Sequence, residues 1–233
     1  MIKSLLNISD LTLNDLNKIL SQKNQETYLN NKTIGLIFEK YSTRTRLSFN
    51  VGINQLHGNA LDIKFEELNI SREESFEDTF KAMNCYLDGL IYRTTNHKRL
   101  EEASKFFQKP IINALSDLSH PCQILSDLFT IKEHFDSLNI NILWMGDMNN
   151  VCFSLVEAAN IISDIKLTIC SPYEISKKIN WKINKNIHII DKIENINLSE
   201  IQCVMTDVFI SMNDENNKEK IELLTPYSVN ENL

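Results

Sequence analysis

Residues 42 to 46 read Ser-Thr-Arg-Thr-Arg, set between the apolar run Thr33-Ile34-Gly35-Leu36-Ile37-Phe38 and a helix-like stretch that begins Leu47-Ser48-Phe49. Hydroxyls, free backbone N–H groups and two guanidinium groups at a strand-to-helix turn are the groups that best hold an anion. The pattern points to a phosphate. Ser42 or Thr43 can cap the helix, but each partial charge at its start is worth only roughly 0.3–1 kcal/mol, too little to hold a dianion unaided. Arg44 adds a fork of donors that matches phosphate oxygens, whereas Arg46, two residues on, cannot face the same pocket and is assigned to a structural ion pair. The competing interpretation is an ordinary N-cap followed by surface arginines. Five consecutive residues of this kind weigh against it. The stretch lacks a Gly-x-x-x-x-Gly-Lys pattern, which excludes the phosphate loop of nucleotide hydrolases.

A second cluster, His120-Pro121-Cys122-Gln123, stands at the start of another helix. Pro121 suits the first helical position, which places His120 at the cap and Gln123 in the first turn, both projecting from one helix end. The helix dipole disfavours a protonated histidine there. A neutral imidazole N–H can then donate to a carbonyl oxygen that gains negative charge, and the Gln123 amide can accept from an NH2 group. A His-Pro pair alone is more often a plain cap. Together the two clusters describe a site that grips a phosphate and polarises a carbonyl.

The elements that must position these clusters alternate along the chain. Runs of strand length occur at Thr33 to Phe38, Ala60 to Phe65, Gly89 to Tyr92 and Pro110 to Asn113, separated by helical spacing of apolar residues. The grammar restarts at Asn139, with strands at Asn141 to Met145, Lys166 to Cys170, Ile187 to Ile190 and Ile201 to Met205, and a helix over Val151 to Ile162. Short apolar runs joined by helices imply parallel sheets covered on both faces. The expected fold is therefore α/β, with two doubly wound parallel-sheet domains, 1–136 and 137–233, joined by a bridging helix over His120 to Phe135. The second domain reads as incomplete, because the chain reaches Leu233 soon after the strand around Val204 and leaves that strand at an edge.

The chain has 233 residues, 42% of them hydrophobic and 24% charged, with a formal net charge of -7. That balance suits a soluble globular protein and argues against nucleic acid or an anionic membrane as partner. No charged-then-apolar leader and no membrane-length apolar run is evident. Five scattered cysteines, mostly within apolar runs, suit reduced core thiols better than disulfides or a zinc site, which points to the cytoplasm.

Phe38-Glu39-Lys40-Tyr41-Ser42-Thr43-Arg44-Thr45-Arg46 and His120-Pro121-Cys122-Gln123, taken with their order and separation, resemble the ornithine carbamoyltransferases within the aspartate/ornithine carbamoyltransferase family. Gly146-Asp147-Met148-Asn149-Asn150 is similar to the family's Gly-Asp-x-Asn-Asn loop, and Thr206-Asp207-Val208-Phe209-Ile210-Ser211-Met212 to its Asp-x-x-x-Ser-Met segment. These later matches favour ornithine over aspartate. The resemblance implies that Ser42, Thr43, Arg44, Thr45 and Arg93 hold the phosphate of carbamoyl phosphate, and that His120 and Gln123 hold its carbamoyl group. Arg44 and His120 would be catalytic. Asp207, Asn150, Ser211 and the Met212 backbone would take L-ornithine, with Asp207 on its α-ammonium. The chemistry needs no cofactor and no metal, and the family's usual state is a homotrimer acting in arginine metabolism.

The chain also departs from the family. Met148 stands where a small residue is usual, Asn213 where a glycine is usual, and Asn69 where the ornithine enzymes often carry a basic or amide group. The family's His-Cys-Leu-Pro motif has no counterpart before Leu233. Two other functions stay open on these grounds: a shortened homologue that binds carbamoyl phosphate without transferring it, and a related carbamoyltransferase with another amine acceptor. A nucleotide-dependent oxidoreductase is disfavoured, since Gly146 to Asn150 lacks the glycine spacing that admits a pyrophosphate.

Overall fold

The computed structural model describes residues 4–21, 28–210 and 218–231. The chain packs as two compact units, Met1–Cys122 and Gln123–Leu233. Their elements run α1 (Leu13–Ser21), β1 (Thr33–Phe38), α2 (Arg44–Gln55), β2 (Asn59–Ile63), α3 (Phe76–Met83), β3 (Gly89–Arg93), α4 (His97–Phe106), β4 (Ile111–Leu115) and α5 (Pro121–Phe135), then β5 (Ile140–Met145), α6 (Asn150–Ile161), β6 (Ile165–Cys170), α7 (Tyr173–Ser176), β7 (Ile187–Ile190), β8 (Cys203–Thr206) and α8 (Lys218–Leu224). The α/β class and the two parallel sheets match expectation. The two units meet within the first turn of α5.

In the first unit the strands are ordered β2-β1-β3-β4, all parallel. Residues alternate between the two faces of a strand, and the core divides accordingly. Ile37 of β1 and Leu90 and Tyr92 of β3 join Phe80 and Met83 of α3 and Leu100 and Ala103 of α4. Ile34 and Leu36 of β1 and Ile91 of β3 join Ile53 of α2 on the other face. Apolar residues on both faces make the central strands read as continuous apolar runs. Strand β2 lies at an edge and is largely exposed, and its run is shorter than the Ala60 to Phe65 expected. Helix starts are set by short polar residues: Ser75 accepts from the Asp78 N–H at α3, and Asn96 from the Lys98 N–H at α4.

In the second unit the order is β7-β6-β5-β8, again all parallel. Leu143, Met145 and Cys170 form a buried cluster with Ile190, Ile193, Ile196, Ile201 and Tyr227 against it. Helix α6 packs on β6 and β7. Strand β8 takes the edge position expected for the segment around Val204. All five cysteines are free, with Cys152 and Cys170 buried and Cys85 exposed rather than in the core. Among the described residues no helix is long and apolar enough to cross a membrane.

Candidate active site

Each sheet turns its strand order around its first strand, and the crevice outside the carboxyl ends at such a reversal is where open α/β sheets bind ligands. In the first unit the reversal lies between β1 and β3, where Phe38 pairs with Arg93. Arg93 ends β3 and is buried, and its Nη1 donates to the Ser42 Oγ at 3.1 Å. The structure thus joins Ser42 and Arg93 at the reversal. Beside them the β3–β4 ladder loses register between Tyr92 and Arg93, and Leu115, opposite Arg93, has φ 157°, unusual for a residue other than glycine. Burial works against the charge of the Arg93 guanidinium. A bound anion would offset that cost.

Thr43 occupies the N-cap of α2, but its side chain does not cap, contrary to expectation. Its backbone is already helical, at φ -82° and ψ -62°, whereas a capping side chain needs the extended region. The Ser42 hydroxyl faces Arg93 instead. Arg44 and Thr45 open the helix, Arg44 exposed and Thr45 half-buried. Arg46 pairs with Asp62, Nε to Oδ1 at 3.0 Å, as assigned from the sequence.

His120 directly precedes α5 and is buried. Burial, then the positive charge of Arg93, pulls its pKa down to about 4, so the imidazole is neutral at pH 7. Arg93 therefore links Ser42 and His120 within the first unit, acting on Ser42 by hydrogen bond and on His120 by charge. Cys122 is no nucleophile: its thiol donates to the Asn113 carbonyl at 3.3 Å, and burial pushes its pKa up to about 12. In the first turn of α5, the exposed Gln123 donates its amide Nε2 to Asp127 Oδ1 at 2.9 Å.

In the second unit the reversal lies between β5 and β8. Gly146 follows β5 at φ 114°, a conformation that disfavours any side chain. Asp207 follows β8 and accepts from Asn149 Nδ2 at 2.8 Å. Asn149 also caps α6, its Oδ1 accepting from the N–H groups of Val151 and Cys152 at 3.0 and 3.1 Å. Asn150, singled out from the sequence, is the first residue of the helix, and it is Asn149 that holds Asp207. Burial raises the pKa of Asp127, against the pull of the bond from Gln123 and with a further push from the charge of Asp207. Asp147 is committed elsewhere, paired with Lys220 at 2.8 Å. Ser211 and Met212 lie outside the described residues.

Asn149→Ala removes a cap and a partner of Asp207 together. We expect a loss of about 1–2 kcal/mol in urea denaturation, and an unchanged midpoint would contradict the geometry.

The first unit can thus hold an anion beside a neutral N–H donor, and the second offers carboxylates to a cation. The family model described as aspartate/ornithine carbamoyltransferase, carbamoyl-P binding domain, matches residues 3–133, and that described as the Asp/Orn binding domain matches 138–233. An ornithine carbamoyltransferase of Methanococcus aeolicus is 38% identical over 98% of this chain and 81% of its own length. One of Aquifex aeolicus is 40% identical over 88% of this chain and 69% of its own. The solved ornithine carbamoyltransferase of Pyrococcus furiosus superposes with a TM-score of 0.88 at 30% identity, covering 99% of this chain and 80% of that one.

Proposed function

The chain belongs to the aspartate/ornithine carbamoyltransferase family, and from that premise we propose that it transfers the carbamoyl group of carbamoyl phosphate to the δ-amine of L-ornithine, giving L-citrulline and phosphate in arginine metabolism. The observation that carries the proposal is Arg93, buried at a sheet reversal, bonded to Ser42 and charged beside a neutral His120. Relatives of the ornithine type support the choice of acceptor.

Ser42, Thr43, Arg44, Thr45 and Arg93 bind the phosphate in this scheme, and His120 and Gln123 bind the carbamoyl group. The neutral δ-amine attacks the carbamoyl carbon and a C–N bond forms. The carbonyl oxygen becomes an oxyanion that Arg44, Thr45 and the His120 N–H stabilise. The C–O bond to the phosphate then breaks, its electron pair leaves on phosphate already matched by guanidinium charge, and the nitrogen's proton passes to the departing phosphate. Asp207, with Asn150, Ser211 and the Met212 backbone, binds ornithine. Asn149 joins them by holding Asp207 in place. Functionally, residues 1–136 form the carbamoyl-phosphate-binding domain and 137–233 the ornithine-binding domain.

We also propose a cytoplasmic homotrimer. Five free cysteines support the compartment. Tyr41, Leu47, Val51 and Leu61, all exposed on and around α2 and the edge strand β2, offer an apolar surface for subunit contact.

The test is citrulline formation from carbamoyl phosphate and ornithine. Turnover with ornithine well above that with putrescine or an N-acylated ornithine is expected. Phosphate binding without any citrulline would favour a binding protein, and equal use of the three amines would remove the role of Asp207.

A further inference from the structure

Glu39 stands just beyond β1, directly behind the phosphate-binding residues, and takes no part in the chemistry above. Its side chain is only 6% exposed. The Tyr92 hydroxyl donates to its Oε1 at 2.6 Å. Its Oε2 accepts from the Thr94 hydroxyl at 2.8 Å, the Thr95 N–H at 3.4 Å and Arg99 Nη1 at 2.9 Å. The Glu39 N–H itself donates to the Arg93 carbonyl at 3.0 Å, extending the β1–β3 ladder by one rung.

The register of these partners matters. Successive side chains on an extended strand point to opposite faces. Tyr92 and Thr94 therefore share the Glu39 face, and Arg93, between them, projects from the other face, where it meets Ser42. One carboxylate thus holds both neighbours of Arg93 from behind. Burial, reinforced by the bond to Glu39, pushes the ionisation of Tyr92 far upward, so its hydroxyl stays a donor at any ordinary pH. A buried carboxylate needs a partner charge, which Arg99 supplies, and the same guanidinium lies 5.6 Å from the Phe65 ring centroid.

A plain structural ion pair would need only Arg99. The two hydroxyls that flank Arg93 on this carboxylate are what go beyond it. We propose that Glu39 is a positioning residue for phosphate: by clamping Tyr92 and Thr94 it fixes Arg93 against Ser42, so that the anion meets donors already in place. The inference rests on the phosphate role given above to Ser42 and Arg93. Preorganisation of this kind raises affinity by cutting the ordering cost of binding.

The test is titration of inorganic phosphate into the full chain by calorimetry. Glu39→Gln keeps the shape and removes the charge, and should weaken phosphate about tenfold. Ser42→Ala should weaken phosphate in the unaltered chain and lose most of that effect in the Glu39→Gln background, because one arrangement serves both. A folded Glu39→Gln protein with unchanged affinity, or additive effects of the two substitutions, overturns the proposal; a merely structural Glu39 would lower the melting temperature with no such coupling. Should Glu39→Gln fail to fold, Tyr92→Phe and Thr94→Val each remove one arm of the clamp and keep the ion pair. About threefold weaker phosphate is expected for each, and unchanged affinity in both overturns the proposal. Absence of phosphate binding by the unaltered chain would sink the phosphate role as well, whereas normal binding by chain and variants alike sinks the Glu39 inference alone.

Discussion

Arg93→Ala is expected to lower kcat/KM for carbamoyl phosphate by about a thousandfold while leaving the KM for ornithine nearly unchanged. Truncating one partner of a buried, hydrogen-bonded charge contact costs on the order of 2–5 kcal/mol of binding, and each 1.4 kcal/mol is tenfold. Arg93 meets that description: it is buried, holds Ser42 at 3.1 Å, and ends the strand at the sheet reversal. The same substitution should do little harm to folding. Burial works against the guanidinium charge, so removing it relieves a desolvation cost as well as deleting its hydrogen bonds. Affinity and stability are thus expected to separate. Arg93→Lys keeps a charge but loses the fork, and should fall between the two. Phosphate calorimetry beside thermal melts checks both halves, and phosphate affinity retained in Arg93→Ala would remove this residue from the site.

How much of this was legible in the sequence depended on the range of the interactions. Thr33 to Phe38 could be bounded as a strand to the residue, because apolar side chains face both clusters of the first core and the run stops where Glu39 begins. Strand β2 was harder: at a sheet edge it has little to bury, and its apolar run extends past its pairing into Lys64 and Phe65. Local polar rules stopped short of such details. Thr43 holds the cap position without capping, and Asn149, given no role from the sequence, holds Asp207, because dihedrals and side-chain reach decide these contacts. The Glu39 network was out of reach altogether, since its side-chain partners lie 53 to 60 residues away and meet it only once β1 and β3 pair.

The charge state of His120 shows a right direction reached for a different reason, and it yields the second large prediction. The helix start alone suggests a neutral imidazole. In the structure the larger causes are burial and then Arg93, which together bring the pKa from 6.5 to about 4. Turnover should therefore not show the usual histidine limb near pH 6.5, and any loss from protonating His120 should come only as pH approaches about 4. The sign for stability follows from proton uptake. The unfolded chain binds a proton at His120 below pH 6.5 and the folded protein does not until about 4, so stability falls as pH drops through that window, by up to about 3 kcal/mol. His97, also held below its ordinary value by burial, adds in the same direction. His120→Ala isolates the first contribution. It should lose kcat by about 10²–10³-fold, as expected for one oxyanion donor, keep most of its phosphate affinity, and denature in urea with a weaker dependence on pH between 6.5 and 4 than the unaltered protein. An unchanged kcat would end the donor role of His120, and an identical pH dependence of stability would show that its imidazole is not held neutral by the fold.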